Sequence, residues 1–186
     1  MKNESKEAFE KYYEDLCKVY LENFNSKPTI SYDGKDTEID SEMIISKPND
    51  DGESAWQLKS IGDYDFSKVE EIIGFKMCDE LKSYYSTYLF LHLAGEYKEI
   101  TLYFDMLKSK ELIEKSILVA QKDGAYYFQD TEVFSLGSAV FNDDDAYGIF
   151  YNNKTGSVFV YENDTDNKIE LDDSLFEIIK NMKALF

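Results

Sequence analysis

A chain of 186 residues with 38 acidic side chains against 20 basic ones carries a formal charge of −18, and every one of its cations is lysine. Such a surface repels phosphate backbones and anionic lipid and attracts positive surfaces, so nucleic acid is excluded as a partner and a basic protein is favoured. Aromatic residues at 16% and apolar residues at 43% are too abundant for disorder, and two prolines and nine glycines leave no room for a long linker. The missing arginine removes the side chain best suited to bidentate phosphate recognition.

No apolar run approaches the roughly 20 residues of a membrane helix, so no membrane insertion is expected. The N-terminus, MKNESKEAFEKYYEDL, lacks an apolar signal core. The expectation is a cytoplasmic protein forming one domain over residues 1–186, with Cys17 and Cys78 reduced and packed as small apolar groups.

Residues 5–24 read as an amphipathic helix, because Phe9, Tyr12, Tyr13, Leu16, Tyr20 and Phe24 recur at spacings of three and four. Ser5 is its candidate N-cap, and Lys27-Pro28 ends the segment. Residues 29–53 are polar, with turn signals at Asp33-Gly34 and Asn49–Gly52. Within and after them, Met43–Ser46 and Ser54–Leu58 are strand candidates, the latter holding Trp56, the sole tryptophan.

Ser67-Lys68-Val69-Glu70 has capping-box spacing and opens a short helix that Gly74 closes. Leu81, Tyr84, Tyr85 and Tyr88 mark a helix from about residue 78, running into the apolar string Leu89–Ala94. Glu99–Phe104 reads as a strand. Ser109 then caps a helix with Leu112, Ile113, Ile117 and Ala120 facing inward. Ala125–Phe128 and Val133–Phe141 are strand candidates. Residues 147–152 and 157–162 form a hairpin, with Gly156 at the left-handed position of its loop. Asp172 or Asp173 caps a closing helix lined by Leu175, Ile178, Ile179, Met182 and Leu185. Helices at both ends, strands between them and no strand–helix–strand rhythm give an α+β fold. Its sheet is mainly antiparallel and is flanked by the N- and C-terminal amphipathic helices.

Chemistry-bearing patterns are sparse. His92, the sole histidine, lies in an apolar string. Neither cysteine has a metal ligand at zinc spacing. No glycine-rich phosphate loop is present. Asp143-Asp144-Asp145 lacks the glycine and terminal glutamate of a calcium loop. No cofactor or metal is expected. A hydrolase using Cys17 or Cys78 with His92 remains the enzymatic alternative. Tyrosine is abundant, at 15 residues, and suits interfaces because it offers area with a polar tip at small entropic cost.

The aromatic N-terminal segment Ala8–Tyr13, the pair Met43–Ser46 and Ala55-Trp56-Gln57, and the central stretch Tyr84–Thr87 followed by Ala94-Gly95 and Ile100–Leu102 form a diffuse pattern. With the hairpin at Thr155–Val158 and the closing helix, it resembles the Syd family within the wider SUKH superfamily of bacterial immunity and interaction domains. The resemblance implies a non-enzymatic α+β domain whose concave face grips another protein. Syd proteins bind basic cytoplasmic loops of the SecY translocon, and many other SUKH members neutralise a cognate toxin. The function expected is an immunity protein that binds a basic toxin, with SecY loops as the alternative partner. The expected partner-binding residues are Asp63, Asp65, Glu96, Glu99, Asp143, Asp144 and Asp145, with Trp56 and nearby tyrosines as apolar anchors. They are chosen because turns and strand edges carry binding groups on a rigid frame.

Overall fold

The aromatic stripe at the N-terminus folds as a helix, α1 (Lys2–Phe24), whose buried side is Ser5, Ala8, Phe9, Tyr12 and Leu16. The structure is a computed structural model describing residues 2–186 except Asp33, Lys35, Asp143, Asn163 and Asp164; the side chains of Asp144, Asp145 and Ala146 also lie outside the described set. Ser5 is not the cap. It sits inside the helix, fully buried, with its hydroxyl 2.8 Å from that of Thr87. The helix ends three residues ahead of Lys27-Pro28, where Asn25 turns left-handed at φ 51° and donates its N–H to the Leu21 carbonyl.

Two short strands follow, β1 (Thr29–Ser31) and β2 (Glu53–Ala55), paired antiparallel across the polar stretch. β1 falls where the sequence reads as polar. Met43 lies in a 3-10 turn instead of a strand, and Ile44 touches Trp56 through an isolated bridge. β3 (Lys59–Ser60) later pairs with β4 (Tyr88–Leu89). Between them come α2 (Ser67–Ile73) and α3 (Asp79–Thr87). The capping box at Ser67 does not form. Asp65 accepts the Ser67 N–H at 2.9 Å, and Glu70 is drawn into the core to accept the N–H of Met77. Gly74 closes α2 at φ 84°, as its position suggests.

The remaining elements are β5 (Ala94–Tyr97), β6 (Ile100–Phe104), α4 (Ile113–Phe128), β7 (Val133–Phe141), β8 (Asp144–Asn152), β9 (Val158–Glu162), β10 (Asn167–Glu170), α5 (Leu175–Asn181) and β11 (Lys183–Ala184). Seven strands form one antiparallel sheet in the order β10-β9-β8-β7-β6-β5-β11. α1 packs on α5 and against β11, and α4 packs on β7. The fold is thus α+β, with its terminal helices against an antiparallel sheet, as the periodicities predict.

Three further local expectations fail for identifiable reasons. Ala125–Phe128, rich in β-favouring aromatics, is the last turn of α4, because Gly124 lets that turn press against the Val133 carbonyl. Asp172 and Asp173 do not cap α5; Ser174 does, accepting the Glu177 N–H at 3.3 Å. Asp173 instead accepts from Lys98 at 2.8 Å. The helical stripe also stops early. After Asn181 the chain extends as β11, which covers the edge of β5 with register Lys183↔Glu96. Covering an edge removes a template for unwanted strand pairing.

One face of the sheet and the helices share a continuous core in which Phe9 lies within 6.3 Å of Tyr84, Phe90 and Phe176, ring centre to ring centre. A smaller cluster of Val133, Phe150 and Phe159 lies under Phe128 and Tyr161.

Candidate functional site

The strand register gathers most of the expected acidic residues at one end of the sheet. β5 and β6 are joined by the two-residue turn Lys98-Glu99, since Tyr97 pairs with Ile100. Thr101 pairs with Val140 and Phe141 with Asp144, so β8 starts beside that turn. Tyr147 pairs with Glu162, and Glu162 with Asn167, which brings Asp166 to the same end. Glu96, Glu99 and Asp166 are exposed there. Asp143 and the side chains of Asp144 and Asp145 lie outside the described residues.

Asp63 and Asp65 do not join this group. Asp63 pairs with Lys2 at 3.0 Å, and its backbone carbonyl accepts from Lys110 at 2.9 Å. Asp65 is occupied at the start of α2. Trp56 is corrected as well. It is 0% exposed, its carbonyl accepts from Tyr13 at 2.5 Å, and Tyr13 lies edge-on to its ring at 5.3 Å. It is a core residue and offers nothing to a partner. A tryptophan in a strand-like string carries no signal of which side it faces when the strand is too short to show period two.

A second feature escapes sequence reading. A cleft of about 230 Å³ opens where α3, α4 and the ends of β6 and β7 meet. Its apolar walls are Leu107, Leu112, Ala120 and Leu136, and its polar groups include Tyr84, Tyr85, Asp105 and Asp123. Tyr84 and Tyr85 are 1% and 3% exposed. Burial pushes both phenols up, with Tyr85 and then the charge of Asp105 adding to it at Tyr84, and the charge of Asp105 at Tyr85. The residues come from separate elements of the chain, so no local spacing could reveal them.

No protein-family model matches the chain, and neither does any curated protein.

Among the described residues, no hydrogen bond joins His92 to Cys17 or Cys78, the pair of the enzymatic alternative. His92 Nε2 lies 2.8 Å from the Leu185 carbonyl, tying down the segment around β11. Cys78 Sγ lies 3.1 Å from the Tyr151 hydroxyl, which donates to Glu80 at 2.8 Å. With the Tyr151 proton given to Glu80, the thiol is left as the donor in its contact with Tyr151. Burial raises the Cys17 thiol above its usual range, outweighing the opposing hydrogen bond of Tyr13 and charge of Lys27. Among the described residues, no three His, Cys, Asp or Glu side chains are grouped to hold a metal ion. No helix among them is long and apolar enough to cross a membrane.

Proposed function

We propose that the protein is a non-enzymatic binding module of the Syd/SUKH kind. It holds a basic protein partner against the acidic hairpin end of its sheet and acts as an immunity protein that neutralises a cognate bacterial toxin. The observation that supports this reading is the convergence of Glu96, Glu99, Asp166 and the start of β8 at one end of a rigid antiparallel sheet, in a chain of net charge −18. Carboxylates so placed steer a basic partner and speed encounter more than they deepen affinity. Hairpin turns on a fixed sheet also tolerate sequence change without loss of the frame.

The test is co-purification from the native host, followed by affinity measurement of the captured partner at low and high salt. The expected partner is a basic, growth-inhibiting polypeptide whose association slows steeply as salt rises. An Asp143/Asp144/Asp145→Asn triple variant is expected to slow it further at low salt. A partner indifferent to both salt and the triple change overturns the acidic-end reading. Capture of translocon loops in place of a toxin overturns the immunity role and leaves the binding surface standing.

A further inference from the structure

The cleft beside Tyr84 and Tyr85 lies at the far end of β6 from the acidic turns, since Asp105 follows the last residue of that strand while Glu99 precedes its first. Several of its polar groups have no partner within the protein. Neither phenol hydroxyl has a hydrogen-bond partner among the described residues, although both side chains are more than nine-tenths buried. The fully buried side-chain atoms without a partner among the described residues are Ser54 Oγ and Trp56 Nε1, so the two phenol hydroxyls open into the cleft and are not sealed in the core. Asp105 and Asp123 likewise make no ion pair among the described residues, whereas Lys108 at the rim is already engaged by Asp36 at 3.4 Å and Glu38 at 3.9 Å. The Asp105 backbone is pinned by its N–H to the Leu136 carbonyl at 2.9 Å, so the rim is held in place.

We propose that this cleft binds a single organic cation, an alkylammonium or alkylguanidinium group, with its charge between Asp105 and Asp123 and its alkyl stem along Leu107, Leu112, Ala120 and Leu136. With three carboxylates and two ammoniums in its lining, the cleft is net negative and disfavours phosphates and carboxylates. The apolar walls distinguish the site from that of a hard metal ion, which takes six or more oxygen ligands. The cleft is smaller than the roughly 300–1,000 Å³ of drug-sized pockets, so it suits one side-chain-sized group. A cation's N–H donors fit the two carboxylates and the open lone pairs of the phenols. Tyrosine rings beside a cation add an electrostatic attraction of their own. Burial, and then the charge of Asp123, hold the Asp105 carboxyl above the usual carboxylate range, as expected of an uncompensated pair. Lys115 also lines the mouth without reversing that balance.

The test is a titration of the intact protein with n-butylguanidinium, followed by calorimetry and by the ring resonances of Tyr84 and Tyr85. Neutral n-butylurea, of nearly the same shape, is the control. Saturable binding with a dissociation constant of about 1 mM is expected, and binding of the urea about tenfold weaker or more. Asp105→Asn with Asp123→Asn is expected to weaken guanidinium binding by a similar factor; neither carboxylate makes a hydrogen bond or ion pair among the described residues, so the variant should fold. A blocked pentapeptide with a central arginine separates the sources. Binding as tight as that of the free cation assigns the cleft to a partner's side chain, and exclusion of the peptide assigns it to a free small amine. Equal binding of guanidinium and urea, undiminished binding in the double variant, or no saturation with either cation source overturns the proposal. Each of these outcomes is independent of the acidic turns.

Discussion

Glu70 and Met77 are joined by a buried hydrogen bond in which Glu70 Oε1 accepts the Met77 N–H at 3.0 Å. The same carboxylate pairs with Lys82 at 2.6 Å and Lys76 at 2.8 Å, and Glu70 is 6% exposed. One side chain thus fixes the joint between α2 and α3, and with it the helix that carries Tyr84 and Tyr85.

Glu70→Ala is expected to cost about 2 kcal/mol, because it strands the buried Met77 N–H and takes the carboxylate partner from Lys76 and Lys82. Burial alone pushes the Glu70 pKa up, but Lys76, Lys82 and the Met77 N–H outweigh it and bring the carboxyl below its usual range. The sign follows from the lowered folded-state value. The contribution is present above the unfolded pKa of about 4.3 and is lost as pH falls through the folded pKa. Denaturant midpoints of wild type and Glu70→Gln, measured from pH 7 down to pH 2, should therefore converge in acid. A gap that stays constant with pH contradicts the assignment.

Gly124 sits within α4, where alanine would normally favour the helix by about 1 kcal/mol. Here a Cβ would lie 2.1 Å from the Val133 carbonyl oxygen. Backbone on both sides cannot yield cheaply, so steric conflict outweighs propensity, and Gly124→Ala should destabilise by about 2 kcal/mol or more. Thermal unfolding decides it, and a rise in midpoint would show that α4 can lift away from β7.

The difference between what could be read ahead and what could not has a physical pattern. The stripe of α1, the bounds of β7 and the hairpin about Gly156 follow from periodicity and turn chemistry, which act within a few residues. The cap of α5, the helical end of α4 and the strand β11 depend on tertiary partners. Asp173 is taken by Lys98, Gly124 by Val133, and Lys183 by the open edge of β5. Glu70 shows the same conflict: its spacing to Ser67 is that of a capping box, but two lysines and a buried N–H outbid the cap. Part of the acidic end was legible because strands alternate with turns, and turns collect at sheet ends. The cleft was not, because Tyr85, Asp105 and Asp123 meet only through packing.

The β5–β6 turn carries the last prediction. Two-residue hairpin turns with positive φ at both positions favour Asn-Gly, and here they hold Lys98 at φ 48° and Glu99 at φ 66°. Left-handed backbone at a residue with a Cβ costs about 1 kcal/mol or more, and such strain persists where the surroundings impose it. Lys98 is compensated: its ammonium donates to the Leu171 carbonyl at 2.9 Å and to Asp173 at 2.8 Å. Glu99 is not, having no hydrogen bond or ion pair among the described residues. A strained residue with an idle carboxylate at the acidic end is what a docking surface retains and a purely structural turn would lose. Glu99→Gly should therefore raise stability by about 1 kcal/mol by relieving strain, while slowing association with the basic partner at low salt. Glu99→Asn, which keeps a left-handed preference but removes the charge, should slow association to the same extent with a smaller gain in stability. Chemical denaturation and stopped-flow association of both variants separate the two effects. If Glu99→Gly destabilises the fold, the strain argument fails; if association is unchanged in both, Glu99 lies outside the interface and its charge serves solubility alone.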